Sequence, residues 1–197
     1  MRRVLTSVAL VVLLLYPTAA VSADFEKGLA AYRARDYATA LREWTPLAEQ
    51  GDARAQSILG LMYRYGDGVP RDDKTAAGWY RLAAEQGNAS AQTKLGEMYR
   101  KGQGVPQDNK TAVNWFRLAA EQGHAVAQYN LGAMYAFGTG VLKDYVYAHM
   151  WGNIAASNGN ENGGKFREFV AKEMTPSQLE KAQDLARECV KKHYRGC

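Results

Sequence analysis

The sequence predicts an all-α solenoid of tandem helix-turn-helix units, and three observations predict it. Residues 51–86, 87–122 and 123–158 repeat one pattern at a period of 36, with Gly51/Gly87/Gly123, Leu59/Leu95/Leu131 and Trp79/Trp115/Trp151 in register. Each copy divides into two stretches with apolar residues at helical spacing. A loop with two glycines separates them. A fixed period of this size is expected when each unit is too small to bury its apolar side alone and must bury it against its neighbours.

The opening residues stand apart from the repeats. Arg2 and Arg3 precede a short apolar run, residues 8–15, and Val21-Ser22-Ala23 supplies the small side chains a signal peptidase requires. Residues 1–23 therefore read as a signal peptide cleaved after Ala23, and the processed chain is expected in the periplasm or outside the cell. The apolar run is shorter than the ~20 residues of a spanning helix, and no later stretch reaches that length, so no stable membrane insertion is expected after cleavage. Losing Arg2 and Arg3 takes the formal charge from +5 to +3. That excess is too mild to indicate a nucleic-acid partner.

Residues 24–50 form a shorter opening unit, with helices expected over 25–35 and 37–50 and Trp44 matching the later tryptophans. It lacks the glycine loop, as suits a terminal unit with one side in water. In the full repeats, first helices are expected over 52–65, 88–101 and 124–137, each carrying A-x-A-Q-x-x-L-G-x-M-Y. Gly66-Asp67-Gly68, Gly102-Gln103-Gly104 and Gly138-Thr139-Gly140 then end them, because glycine accepts the left-handed backbone of a helix stop. Asp72, Asp108 and Asp144 stand where an N-cap is wanted for the second helices. Beyond Gly159 the pattern fades, and residues 159–197 read as a degenerate capping helix pair, over 165–173 and 177–192. Thr175-Pro176 supplies the cap and the first-turn proline of the last helix.

Cys189 and Cys197, the only cysteines, fall within the last nine residues. In an exported chain such a pair reads as a disulfide. The spacing to His193 also suits an open zinc site, but an oxidising compartment favours the bridge.

The A-x-A-Q-x-x-L-G-x-M-Y helix, the G-x-G-V-P loop and the W-(Y/F)-R-L-A-A-E-Q-G ending closely resemble the Sel-1-like repeat, a branch of the tetratricopeptide superfamily. The resemblance covers the three full repeats and, more loosely, the opening and closing units. It implies a right-handed α-solenoid whose first helices line a concave face. It also implies an adaptor that organises complexes or regulates exported partners, not an enzyme. One cysteine-rich group of such proteins is associated with β-lactam binding or hydrolysis. That group carries a cysteine pair in every repeat, whereas this chain has one pair at its end. The alternative reading is a cell-envelope enzyme or glycan-binding protein, β-lactamase-like or peptidoglycan-associated.

Reading the three copies against one another separates scaffold from surface. In the first helices, positions 53, 55, 56, 59, 60, 62 and 63 are constant or nearly so, whereas 54, 57, 58, 61, 64 and 65 vary. At about 100° per residue the varying positions fall within an arc of roughly 120°. The constant side is expected to be core, with Leu59, Met62, Tyr63 and Trp79 filling the space that Ala55 and Gly60 leave open. The varying side is expected to be exempt from packing and to face the groove. Its candidate binding residues are Arg54, Ser57, Leu61, Arg64 and Tyr65, then Lys94, Glu97, Arg100 and Lys101, then Tyr129 and Phe137; Thr93 and Ala136 also belong to it. Five of its positions are basic and one is acidic, a net of +4. The expected ligand is a protein segment, acidic at one end and apolar at the other.

No catalytic residue, metal or cofactor is expected. Asp72 and Asp73 stand where a phosphate loop needs bare amides, and the loop lacks the alternating oxygen ligands of a calcium site. H-E-x-x-H, G-x-S-x-G, S-x-x-K and K-T-G are absent, and His124 and His149 are isolated.

Overall fold

The computed structural model describes residues 23–197, so the expected leader lies, apart from Ala23, outside the described residues. They form ten helices: α1 (Phe25–Arg33), α2 (Tyr37–Glu49), α3 (Ala53–Tyr65), α4 (Asp73–Glu85), α5 (Ala89–Lys101), α6 (Asn109–Ala120), α7 (Ala125–Phe137), α8 (Tyr145–Ser157), α9 (Gly163–Ala171) and α10 (Pro176–Lys191). Among the described residues there is no strand, and no helix is long and apolar enough to cross a membrane. Helices α1 to α8 pair as successive hairpins, and each second helix also packs on the next first helix.

The turns follow from the residues placed there. Asp52, Asp72, Asp108 and Asp144 each accept hydrogen bonds from two amides of the first turn that follows. Such a cap is worth about 1 kcal/mol. Gly66, Gly102 and Gly138 end the first helices in the left-handed region, at φ 78°, 66° and 66°. The loops' second glycines have another role. A side chain at Gly104 or Gly140 would run into the backbone carbonyl of Asp73 or Asn109, at the start of the preceding unit's second helix. The loop of one repeat thus seats on its predecessor.

Two contacts recur through the core. Gly60 lies under the ring of Tyr80 and Gly96 under that of Phe116, where an added Cβ would stand 2.7 and 2.8 Å from ring carbons. Between repeats runs a ladder of amides. Gln56, Gln92 and Gln128 donate to the carbonyls of Ala48, Ala84 and Ala120 at 2.9, 3.0 and 3.1 Å. Gln86, Gln122 and Asn158 in turn donate to the side-chain oxygens of those three. The constant glutamines therefore join units, and burial leaves them no unmet polar atom.

Four expectations need correction. Tyr80 and Phe116 are the aromatics fully buried in the first two repeats, whereas Trp79 and Trp115 are half-buried; only in the third is the tryptophan, Trp151, fully buried. Helix α1 stops at Arg33, because Arg35 takes a left-handed turn. Thr93 and Ala136, on the varying side, are buried. Thr93 donates to the Ala89 carbonyl, so its hydroxyl oxygen is left to accept from His124 Nδ1 at 3.0 Å. Finally, α9 and α10 do not form a hairpin: each packs on α8, with little contact between them.

Candidate functional site

The varying side of α3, α5 and α7 divides into three parts. At the N-terminal end, Arg54 is exposed, bonded to the capping carboxylate of Asp52 at 3.1 Å and stacked 4.1 Å from the centre of the Phe25 ring. Ser57 is half-buried beside it.

The middle is an ion cluster spanning two repeats. Glu97 Oε2 lies 3.6 Å from Lys94 Nζ and 3.9 Å from Arg64 Nη2. Arg64 Nη2 also donates to the Gln103 side chain at 3.1 Å. The Arg64 side chain is only 11% exposed, and its Nη1 is buried without a hydrogen-bond partner among the described residues. The buried Tyr80 hydroxyl is likewise unpartnered; burial pushes its phenol upward, against the pull of the nearby Arg64 charge. Leu61 joins the core under this cluster, whereas Tyr65 is 60% exposed.

The third part is a pocket of about 280 Å³ between α5, α7 and the start of α6, lined by Arg100, Gln107, Asn109, Asn130, Ala133 and Phe137. Arg100 Nε and Asn109 Oδ1 are buried and unpartnered among the described residues, one a donor and one an acceptor. Lys101 is exposed at the end of α5. Phe137 is 66% exposed and faces Phe169 of α9, ring centres 6.5 Å apart. Tyr129 is half-buried, its ring edge-on to Phe166 at 5.4 Å.

The structure thus brings Arg64, Lys94 and Glu97 together, and Arg100 with Phe137, but holds Arg54 apart. The charge count over the helix faces overstated what the surface offers, because Arg54 is matched by Asp52, and Arg64 and Lys94 share Glu97. Gln103, Gln107, Asn109 and Phe169 were missed. Comparing the loops between copies would have found the first three, since 67/103/139 are Asp, Gln, Thr; 71/107/143 are Arg, Gln, Lys; and 73/109/145 are Asp, Asn, Tyr. Phe169 lies outside the period and leaves no such trace. Cys189 and Cys197 are placed at disulfide-bonding distance. No group of three or more His, Cys, Asp or Glu among the described residues is placed to hold a metal.

The Sel1 repeat family model matches residues 53–88, 89–124 and 125–160. Among curated proteins none matches. Solved structures similar to this one include the following two. A protective antigen present in uropathogenic Escherichia coli strains, displaying an SLR fold, is 38% identical with a TM-score of 0.74 over 79% of this chain and 33% of that one. This chain therefore spans about a third of that protein's length. A Sel1 repeat protein from Oxalobacter formigenes is 42% identical with a TM-score of 0.60, over 65% of this chain and 96% of that one. Sel1 repeats generally mediate protein–protein interaction, on a fold that is generally non-catalytic.

Proposed function

The chain belongs to the Sel1 repeat family, and on that premise we propose that it is an exported adaptor holding a segment of a partner protein along the varying side of α3, α5 and α7. One observation carries this reading: Arg64 and Arg100, in neighbouring repeats on one side of the molecule, each bury a guanidinium N–H without a partner among the described residues. An unmet buried donor costs about 1–3 kcal/mol, more when it is charged. Carboxylates of an incoming segment would satisfy both, and guanidinium–carboxylate bonds are among the strongest neutral-pH contacts available. Beyond Arg100 the exposed Phe137–Phe169 pair suits an apolar continuation of the same segment.

Export is supported by the leader-like opening residues and the paired cysteines. Intact-mass measurement of protein purified from its native host tests this part. The expected species starts at Asp24 and is two hydrogens lighter than the reduced chain.

The adaptor reading is tested by crosslinking on the native envelope, followed by recovery of this chain. Arg64→Glu with Arg100→Glu is expected to lower recovery of the partner at least tenfold, while Lys181→Glu on the outer side of α10 leaves it unchanged. Equal recovery with the double variant would show that the segment lies elsewhere.

A further inference from the structure

Because α9 and α10 lie side by side on α8 without closing on each other, a cleft of about 800 Å³ opens between them. Its place in the fold is informative. On α4 and α6, Arg81 and Arg117 reach the next first helix through the Tyr99 and Tyr135 hydroxyls, at 2.9 and 3.3 Å. Their equivalent on α8 is Asn153, which faces the cleft. The cleft therefore opens on the side of α8 that, in α4 and α6, meets the following repeat.

That side is not dressed for a helix. The positions matching His149 in the earlier repeats are Ala77 and Val113, both buried and apolar. His149 is itself only 5% exposed, and its Nδ1 has no hydrogen-bond partner among the described residues. An imidazole with an unmet buried nitrogen, in a position that elsewhere takes alanine or valine, costs stability unless something uses it. Beside it Arg167 Nη1 donates to Asn153 Oδ1 at 3.0 Å, which fixes the guanidinium at the cleft wall. The other basic groups at the rim, Arg187 and Lys191, are matched on their own helix by Asp184 and Glu188. Leu179, Val190 and the edge of the buried Ile154 supply the apolar part of the wall, beside Ser157 and Gln183.

We propose that this cleft binds a small amphipathic carboxylate, with its head on Arg167 and His149 and its aliphatic body along Ile154, Leu179 and Val190. One unmatched cation suits a singly charged head, and the planar guanidinium suits a carboxylate in particular. The imidazole is disposed to stay neutral, since burial first and the Arg167 charge second hold its pKa down. It therefore adds one N–H bond and no second charge. The volume lies within the range of small-molecule sites, and the mixture of apolar walls with few convergent polar groups is characteristic of them.

Decanoate is the probe, titrated into the full processed chain below its micelle concentration, with decanol and acetate as controls. Calorimetry is expected to show one decanoate per chain, with resonances of the His149 ring shifting in step. Decanol and acetate are expected to bind at least tenfold more weakly. Arg167→Gln should weaken decanoate at least tenfold, and His149→Phe, which keeps the ring, at least threefold. Ala171→Trp places an indole in the cleft, so it should block binding; unchanged helicity shows that its fold is kept, which covers the case of an unfolded His149 variant. Absence of decanoate binding, equal binding of decanol or of acetate, or retention in the Ala171→Trp protein would each overturn the proposal.

Discussion

The first two full repeats and the C-terminal end solve one packing problem in two ways. In α3–α4 and α5–α6, the glycine of the first helix is covered by an aromatic of the same hairpin, Tyr80 or Phe116. In α7–α8 the corresponding position is Gly152, and the space over both Gly132 and Gly152 is filled by Phe166 from α9, with Cβ approaches of 3.0 and 2.8 Å. The outer surface differs in parallel. Leu82 and Leu118 are each 46% exposed, whereas their counterpart Ile154 is buried in one cluster with Ala186 of α10. The early repeats are thus self-sufficient inside and exposed outside, and the last one takes its filling and its cover from sequence beyond the period. A repeat array ends by replacing a missing neighbour with unrelated side chains.

The largest expected effect separates these two solutions. Phe116→Ala and Phe166→Ala each remove a buried ring, at a cost of about 3 kcal/mol or more. The first should lower the cooperative unfolding transition as a whole. The second should mainly speed amide hydrogen exchange in α9, since that helix is held through this ring. Adding Gly152→Phe to Phe166→Ala restores an aromatic in the position of Tyr80 and Phe116, and should recover part of the lost stability while α9 remains fast. If α9 regains protection instead, its anchorage does not depend on Phe166.

A smaller effect is expected at the amide ladder, which the two regions share. Gln92→Leu removes both its donation to Ala84 and its acceptance from Gln122. Leaving those groups unmet should cost about 2 kcal/mol, measured by denaturant unfolding at unchanged m-value. Gln128→Leu should cost the same if the third junction is built like the second.

The smallest effect distinguishes the regions by pH. His149 and His124 are both held below their ordinary value near 6.5, mainly by burial. A depressed folded pKa means the unfolded chain takes up the proton first, so this contribution is fully present above about pH 6.5 and is lost as pH falls below it. The melting temperature of the wild type should decline between pH 7.5 and 5. His149→Gln should flatten that slope, and the remainder should belong to His124. The capping carboxylates Asp72 and Asp108 are pulled downward by their hydrogen bonds, and at Asp52 burial pushes upward but the hydrogen bonds together outweigh it, so their protonation falls at lower pH and leaves this window clear.

Most of the fold was legible because repetition is a local signal. The helices, the aspartate caps and the glycine stops recur in the sequence wherever they recur in space. The errors came where a residue's neighbour lies out of period. Nothing near Gly152 names Phe166, so residues 159–197 were expected as one degenerate helix pair when they are two separate covers on α8. Trp79 stood out by its constancy, yet the adjacent Tyr80 holds the interior, because aligned copies report shared environment and not depth. At the candidate binding side, variation drew attention to Arg64, Arg100 and Phe137. It gave no account of distance, so it missed that Glu97 answers two of the basic groups and that loop residues complete the pocket.

The amide ladder ends differently from how it runs. At its last rung the Tyr194 hydroxyl donates to Asn158 Oδ1 at 3.0 Å, and the Tyr194 ring lies against Gly123. Asn158 is the third repeat's counterpart of Gln86 and Gln122, and its oxygen here accepts from a residue beyond the period. Tyr194 thus latches the chain's last turn onto the third repeat, so the end of the chain is held by the amide ladder as well as by the packing of α10 on α8.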